Sequence, residues 1–389
     1  MRPAFLMTAC LLASTVLPAQ QLRTLSRADA EFEEPFTSVN GIRELKDGRV
    51  VVIDIRDKVV QLVDFKAGTA KKIGREGSGP KEYALPMAIV ALPGDTSGVY
   101  DPLNQRMLLV LPNGEPGDFV KATPEASANV RGGGFSISLA PPRYTDSRGR
   151  LYYLAGGFRG PDATGEPPDS QPILRFTRGA KSADTVAYIR VPKSNTRVTG
   201  SADNRTVMTG IANPFAPRDE WVVTPDGRVG VIRSPEYRVD WSGAARSTGT
   251  PIAYDRIKLT EKHKTQWREN QRTGGTRIMM RVGPGGTSAS AGGGGTNVSV
   301  PEPTDWPDVL PPFTNNSAFI APNGRIWIAR TREASDNTPK YDVIDAAGKL
   351  VSRVALPAKT RVVGFGNGVV YTVRIDEDDL QYLQRFRLP

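Results

Sequence analysis

Two residue types that carry much of enzyme chemistry are all but missing from this chain: one cysteine, Cys10, and one histidine, His263, in 389 residues. Cys10 lies in the N-terminal apolar stretch, so a chain shortened by removal of that stretch has no thiol. Disulfides, thiolate metal ligands and a cysteine nucleophile are then excluded. A single histidine rules out two-histidine metal sites and confines histidine-assisted serine chemistry to one neighbourhood. Aromatic residues make up only 7% of the chain, and no long helical periodicity is visible. Formal charge is +10, yet no run of five or more like charges occurs: bases and acids interleave, as in Arg56-Asp57-Lys58 and Arg374-Ile375-Asp376-Glu377. The excess therefore gives no specific nucleic-acid signal and reads as a solvated surface.

What is abundant is punctuation. The 39 glycines and 32 prolines describe a chain broken often by turns, which favours many short strands. At the N-terminus, Arg2, the apolar run Ala4 to Leu17 and the small residues Pro18 and Ala19 follow the order of a secretory signal. The run is shorter than the roughly 20 residues a membrane helix needs. A lipoprotein signal at Cys10 fits less well, because apolar residues continue past it. Cleavage after Ala19 is expected, leaving one domain, residues 20–389, secreted or periplasmic and without a transmembrane segment.

One unit recurs along that domain: a turn ending in Gly, then a strand rich in β-branched and aromatic residues. The copies are Lys46-Asp47-Gly48-Arg49-Val50-Val51-Val52-Ile53-Asp54, Ser97-Gly98-Val99-Tyr100-Asp101, Ser147-Arg148-Gly149-Arg150-Leu151-Tyr152-Tyr153, Pro225-Asp226-Gly227-Arg228-Val229-Gly230-Val231-Ile232, Pro322-Asn323-Gly324-Arg325-Ile326-Trp327-Ile328 and Gly366-Asn367-Gly368-Val369-Val370-Tyr371. Asp-Gly and Asn-Gly supply the positive φ of a tight hairpin. The glycines stand 50, 51, 78, 97 and 44 residues apart. Three intervals fit a four-stranded blade and two carry insertions. The fold expected is all-β: a six-bladed β-propeller of four-stranded antiparallel blades. Its last strand, near Tyr382 to Phe386, should pair with an N-terminal strand to close the ring.

The stretch Ile73-Gly74-Arg75-Glu76-Gly77-Ser78-Gly79-Pro80-Lys81-Glu82-Tyr83, followed by Tyr100-Asp101-Pro102-Leu103-Asn104-Gln105-Arg106, resembles the NHL repeat. The match is to secreted bacterial six-bladed propellers related to NHL proteins, which also show segments similar to Trp306 to Phe313 and Asp376 to Leu383. A phosphate loop should open a helix, whereas Pro86 and a strand follow here. Gly74, Gly77, Gly79, Pro80, Glu82, Asp101, Asn104 and Arg106 are therefore read as a structural repeat motif at the crossing between blades.

Between about residues 250 and 315, separating the fourth and fifth blades, the pattern lapses. Thr260 is placed to cap a helix from Glu261 to about Thr273, polar nearly all round, with Trp267 toward the ring. Arg277 to Val282 suggests a short strand, and Gly283 to Ser299 a Gly-rich loop without packing residues. His263, on a solvated helix with no orienting carboxylate, reads as non-catalytic.

No cofactor is predicted and no catalytic residue can be named. The reading preferred from the sequence is an extracytoplasmic binding or scaffold propeller with a protein or carbohydrate partner on one face. The alternative is a metal-dependent hydrolase such as the lactonases of the six-bladed class, which surround a central divalent ion with carboxylates and Asn. Ca²⁺ takes oxygen ligands, so the scarcity of His and Cys leaves it open. Asp54, Asp101, Asp146 and Asp226 are its candidate ligands, each also explicable as a turn residue. A lyase using histidine-bound zinc conflicts with the single histidine.

Overall fold

The computed structural model describes residues 22–388 other than 125–140, 156–168, 193–194, 200–205, 212, 244–245, 274–276, 284–285, 293–301 and 304. Short strands separated by glycine turns are arranged as the six blades of a propeller. Blade 1 comprises Val39–Glu44, Val50–Asp54, Val59–Asp64 and Thr69–Lys72, joined antiparallel in that order. Blade 2 runs from Ala88–Ala91 to Pro116–Lys121, and blade 3 from Tyr144–Thr145 to Asp184–Arg190. Blade 4 begins with Glu220–Val223, blade 5 with Phe313–Ile320 and blade 6 with Thr360–Gly366. In each blade the first of these strands is the innermost.

Burial explains why the blades hold together. The apolar side chains gather into clusters that lie between blades. Val51, Ile53 and Leu62 of blade 1 meet Val99, Leu108 and Val110 of blade 2. Tyr152 and Ile173 of blade 3 meet Trp221 and Val231 of blade 4, and the pattern continues around the ring. A strand that packs on both faces must be apolar at consecutive positions, which is why Val50–Asp54 reads Val-Val-Val-Ile-Asp and is buried throughout.

The ring closes as the sequence suggested. Ala30–Glu31 pairs with the last strand, Gln381–Arg387, with Ala30 opposite Arg385 and Glu31 opposite Gln384. Ion pairs Arg374–Glu31 at 2.7 Å and Arg385–Asp29 at 2.8 Å reinforce the seam. Unforeseen is a second attachment: Leu22–Thr24 adds to blade 5 as a fifth strand, parallel to Leu350–Ala355. The N-terminal segment thus joins the two blades that are last in the chain.

Three local expectations need amendment. Gly48, Gly149, Gly227, Gly324 and Gly368 adopt positive φ, but Gly98 lies inside a strand and the turn before it is made by Gly94 and Asp95. Blade 4 has three regular strands; its fourth position is filled by an irregular stretch in which Ser247 pairs with Trp241 and Ile252 N–H donates to Tyr237. In the insertion, the helix is Glu261–Thr273, but part of the Gly-rich tract is not a loop: Gly286–Gly292 pairs with Arg277–Gly283 as a hairpin. Backbone pairing needs no side chain, so a Gly/Ser/Ala segment can form a strand that its composition conceals. No helix among the described residues is long and apolar enough to cross a membrane.

Candidate functional site

In every blade the first strand runs away from one face of the disc, here called upper, where the crossings between blades and the second-to-third strand turns lie. The first-to-second strand turns lie on the lower face. This topology separates the four candidate aspartates. Asp54 and Asp101 end second strands, on the upper side; Asp146 and Asp226 sit in first-to-second turns, on the lower side.

Asp54 accepts backbone N–H groups from Thr37 at 2.6 Å, Ser38, Arg56 and Asp57. Burial nevertheless pushes its carboxyl above the usual range. Asp101 does the same work one blade on, accepting from Ala84, Leu85, Leu103 and Asn104, and from the Asn104 side chain at 2.7 Å. Asp146 lines the central channel. Burial acts to raise it, but bonds from the Arg150 backbone and guanidinium and from the Tyr152 hydroxyl outweigh that and hold it low. Asp226, exposed, is bonded by Thr224 and Arg228, and the Thr224 hydroxyl chiefly lowers its pKa.

The NHL-like residues form one interlocked corner between blades 1 and 2. Glu82 accepts from the Gly79 N–H at 2.7 Å and from Arg75 at 2.6 Å. Pro80 lies in the turn closed by Glu82 N–H on the Gly79 carbonyl. Arg106 donates to the carbonyls of Ser78, Gly79 and Glu82 and stacks over Phe119, 3.5 Å from its ring centre. Gly77, at φ 155°, has no room for a side chain: a Cβ would meet Glu82 Oε2 at 2.2 Å. Gly74 bends at φ 67°. These groups bind the chain to itself.

The central channel is a cavity of about 1090 Å³ lined by the inner strands of all the blades. At its upper mouth stand Asn40 of blade 1, Arg143 just before the inner strand of blade 3, Asn316 of blade 5 and Arg361 of blade 6. Arg143 reaches past blade 4: its Nη2 donates to the Ala318 carbonyl of blade 5 at 2.7 Å, where the Tyr144 hydroxyl also donates at 2.9 Å. That carbonyl is offered to the channel beside the bulge between Phe313 and Ala318. Burial pushes the Tyr144 hydroxyl up to about 12, so it stays a neutral donor.

Glu220, the first residue of blade 4 and only 1% exposed, lies behind the wall. Its Oε1 accepts the Asn316 N–H, and its Oε2 faces Arg143 Nη1 at 3.0 Å, an ion pair whose angle makes no hydrogen bond. Arg218 donates to Gln171 Oε1 at 3.2 Å; burial chiefly, and the nearby Arg143 charge, lower its pKa, against the Glu220 charge. Across the mouth, Arg361 donates from Nη2 to the Val39 carbonyl at 2.6 Å and to Gln381 Oε1 at 3.0 Å. No carboxylate among the described residues pairs with it, and burial lowers its pKa too. The mouth is thus lined by two guanidinium groups, Arg143 and Arg361, with the Glu220 carboxylate behind the wall beside the first.

Such a lining does not fit a hard cation. Ca²⁺ takes six to eight oxygen ligands, and among the described residues no three His, Cys, Asp or Glu side chains form a group able to hold a metal ion. The candidate aspartates already accept hydrogen bonds, and guanidinium groups at the mouth repel a cation.

His263 proves to be buried, 5% exposed, rather than solvated. Its Nδ1 accepts the Thr260 N–H at 3.2 Å and contacts the Thr260 hydroxyl at 2.8 Å, while Nε2 faces the Arg332 carbonyl at 3.3 Å. The ring occupies the place of Glu in a capping box, and its role is to seat the helix. Trp267 meets Trp306 edge-on at 5.6 Å, and Trp306 meets Phe215 at 5.8 Å. The polar composition hid this inner face.

No family model and no curated protein matches the chain. Solved propellers resemble it. A calcium-binding protein, regucalcin, from Agrobacterium tumefaciens is 10% identical at TM-score 0.40, with 95% of this chain and 98% of that one covered. A gluconolactonase from Xanthomonas campestris is 8% identical at TM-score 0.42, with 92% of each chain covered. A putative exported protein from Bacteroides fragilis is 9% identical at TM-score 0.44, with 95% and 100% covered. Function therefore has to be argued from the site.

Proposed function

We propose that this chain is an exported ligand-binding propeller whose working site is the upper mouth of the channel and whose ligand is a small anion. One observation carries the reading: Arg361 lines the channel, partly desolvated, with two neutral acceptors and no carboxylate among the described residues. A cation withdrawn from water is costly unless paired, and a planar guanidinium suits carboxylate or phosphate oxygens. Export rests on the N-terminal order of Arg2, the apolar run to Leu17 and Ala19. Mass spectrometry of the secreted protein should give Gln20 as the first residue; an intact Met1 would contradict it.

Calorimetric titration with small carboxylates and inorganic phosphate tests the site. Binding should fall at least tenfold in Arg361→Met and less in Arg361→Lys, which keeps the charge without the fork. Binding of no anion, or equal binding by the variants, would sink the reading.

The hydrolase alternative has its own support in Glu220, whose Oε2 is buried just behind the channel wall without a hydrogen bond, beside Arg143. A carboxylate so placed is a candidate general base, and hydrolysis of a lactone or ester yields a carboxylate, the class of product the arginines would hold. Lactone and ester hydrolysis, measured with Ca²⁺ and with a chelator, decides it. Turnover abolished by Glu220→Gln favours the enzyme; substrate binding without turnover favours the binding protein.

A further inference from the structure

A bare anion at Arg361 would occupy little of a cavity of about 1090 Å³. Below the mouth the inner strands present Ile42, Ile89, Phe319, Val363 and Phe365 to the same channel. Ile89, Phe319 and Phe365 are only partly buried, so apolar surface faces the lumen. At the lower end the charges are matched: Arg43 pairs with Asp95 at 2.6 Å and Arg150 with Asp146 at 2.5 Å. The channel therefore has at one end a cation without a carboxylate partner among the described residues, apolar side chains between, and closed ion pairs at the other. An inner strand such as Val39–Glu44, of six residues, spans roughly 20 Å, enough depth for an extended hydrocarbon.

We infer that the occupant is an amphiphilic carboxylate, its head on Arg361 at the upper mouth and its hydrocarbon tail inserted between the inner strands. The inference rests on the anion-binding reading above and adds a tail to it. Burial of apolar surface drives the tail inward, and the matched pairs below give no reason for the head to travel through.

The test is calorimetric titration of the protein with unbranched carboxylates from acetate to decanoate, and with decanamide as the neutral control. Affinity should rise about fourfold per methylene, until the tail fills the lumen. Decanamide should bind at least tenfold more weakly than decanoate, and Arg361→Met should erase that difference. Ala91→Trp, a substitution at an exposed position of the channel wall, should weaken decanoate at least tenfold and leave acetate unchanged. Equal affinities for acetate and decanoate would overturn the tail while leaving the anion site intact. Equal affinities for decanoate and decanamide would overturn the head. Absence of binding by every carboxylate would overturn both this inference and the reading beneath it.

Discussion

The two ends of the channel are built from the same residue types and treat charge in opposite ways. At the lower end the arginines have carboxylate partners, Arg43 with Asp95 and Arg150 with Asp146. At the upper end Glu220 pairs with Arg143, and among the described residues Arg361 has only neutral acceptors. Matched groups at one end hold neighbouring blades in register. At the other, Arg361 bonds across to blade 1 through neutral acceptors, and in the reading proposed its charge is left for a ligand.

If that contrast is right, substitutions at the two ends should separate stability from binding. The largest effect should come from Glu220→Ala, which leaves Arg143 without its ion-pair partner and close to the charge of Arg218. Unfolding in urea should show a loss of about 3 to 5 kcal/mol; a loss under about 1 kcal/mol would mean that the arginines are solvated. At the lower end, Asp146→Ala removes the acceptor for Arg150 and Tyr152 and should cost about 2 kcal/mol by the same measurement, with anion binding unchanged. Arg361→Met should change stability by no more than about 1 kcal/mol, because relief of desolvation offsets two hydrogen bonds to neutral groups, yet remove the anion site.

The smallest effect is on pH dependence. Asp146 is held below its ordinary value of 3.8 in the folded state. Its contribution is present above that value and disappears as pH falls through the lower, folded one. Acid unfolding of Asp146→Asn should therefore be less steep than wild type below about pH 4. Anion affinity, set by guanidinium groups that stay protonated, should be level from about pH 6 to 9.

The propeller was legible in the sequence because its hairpins repeat a local requirement. Asp-Gly and Asn-Gly before Val-Val-Val-Ile or Ile-Trp-Ile state both a positive φ and a strand buried on two faces. The NHL-like corner was legible for the same reason: Gly77 and Glu82 are five residues apart and meet directly. The mouth was not. Arg143, Glu220 and Arg361 lie far apart in the chain, at the starts of inner strands in blades whose repeats are degenerate, and nothing local distinguishes them from surface charges. The useful signal was positional: a charged residue at the start of an inner strand, as after Pro141-Pro142 or in Thr360-Arg361, stands at or just behind the channel mouth once the blades are placed. His263 misled because the helix is polar in composition, while its burial depends on Phe215, Trp306 and Arg332 elsewhere in the chain.

The measurement closest to the central claim compares the two ends directly: calorimetric titration of one carboxylate ligand, decanoate, into wild type, Arg361→Met and Arg43→Met. The account predicts binding at least tenfold weaker in Arg361→Met and unchanged in Arg43→Met, whose guanidinium is already matched by Asp95. Equal weakening in both variants, or none in either, would contradict it.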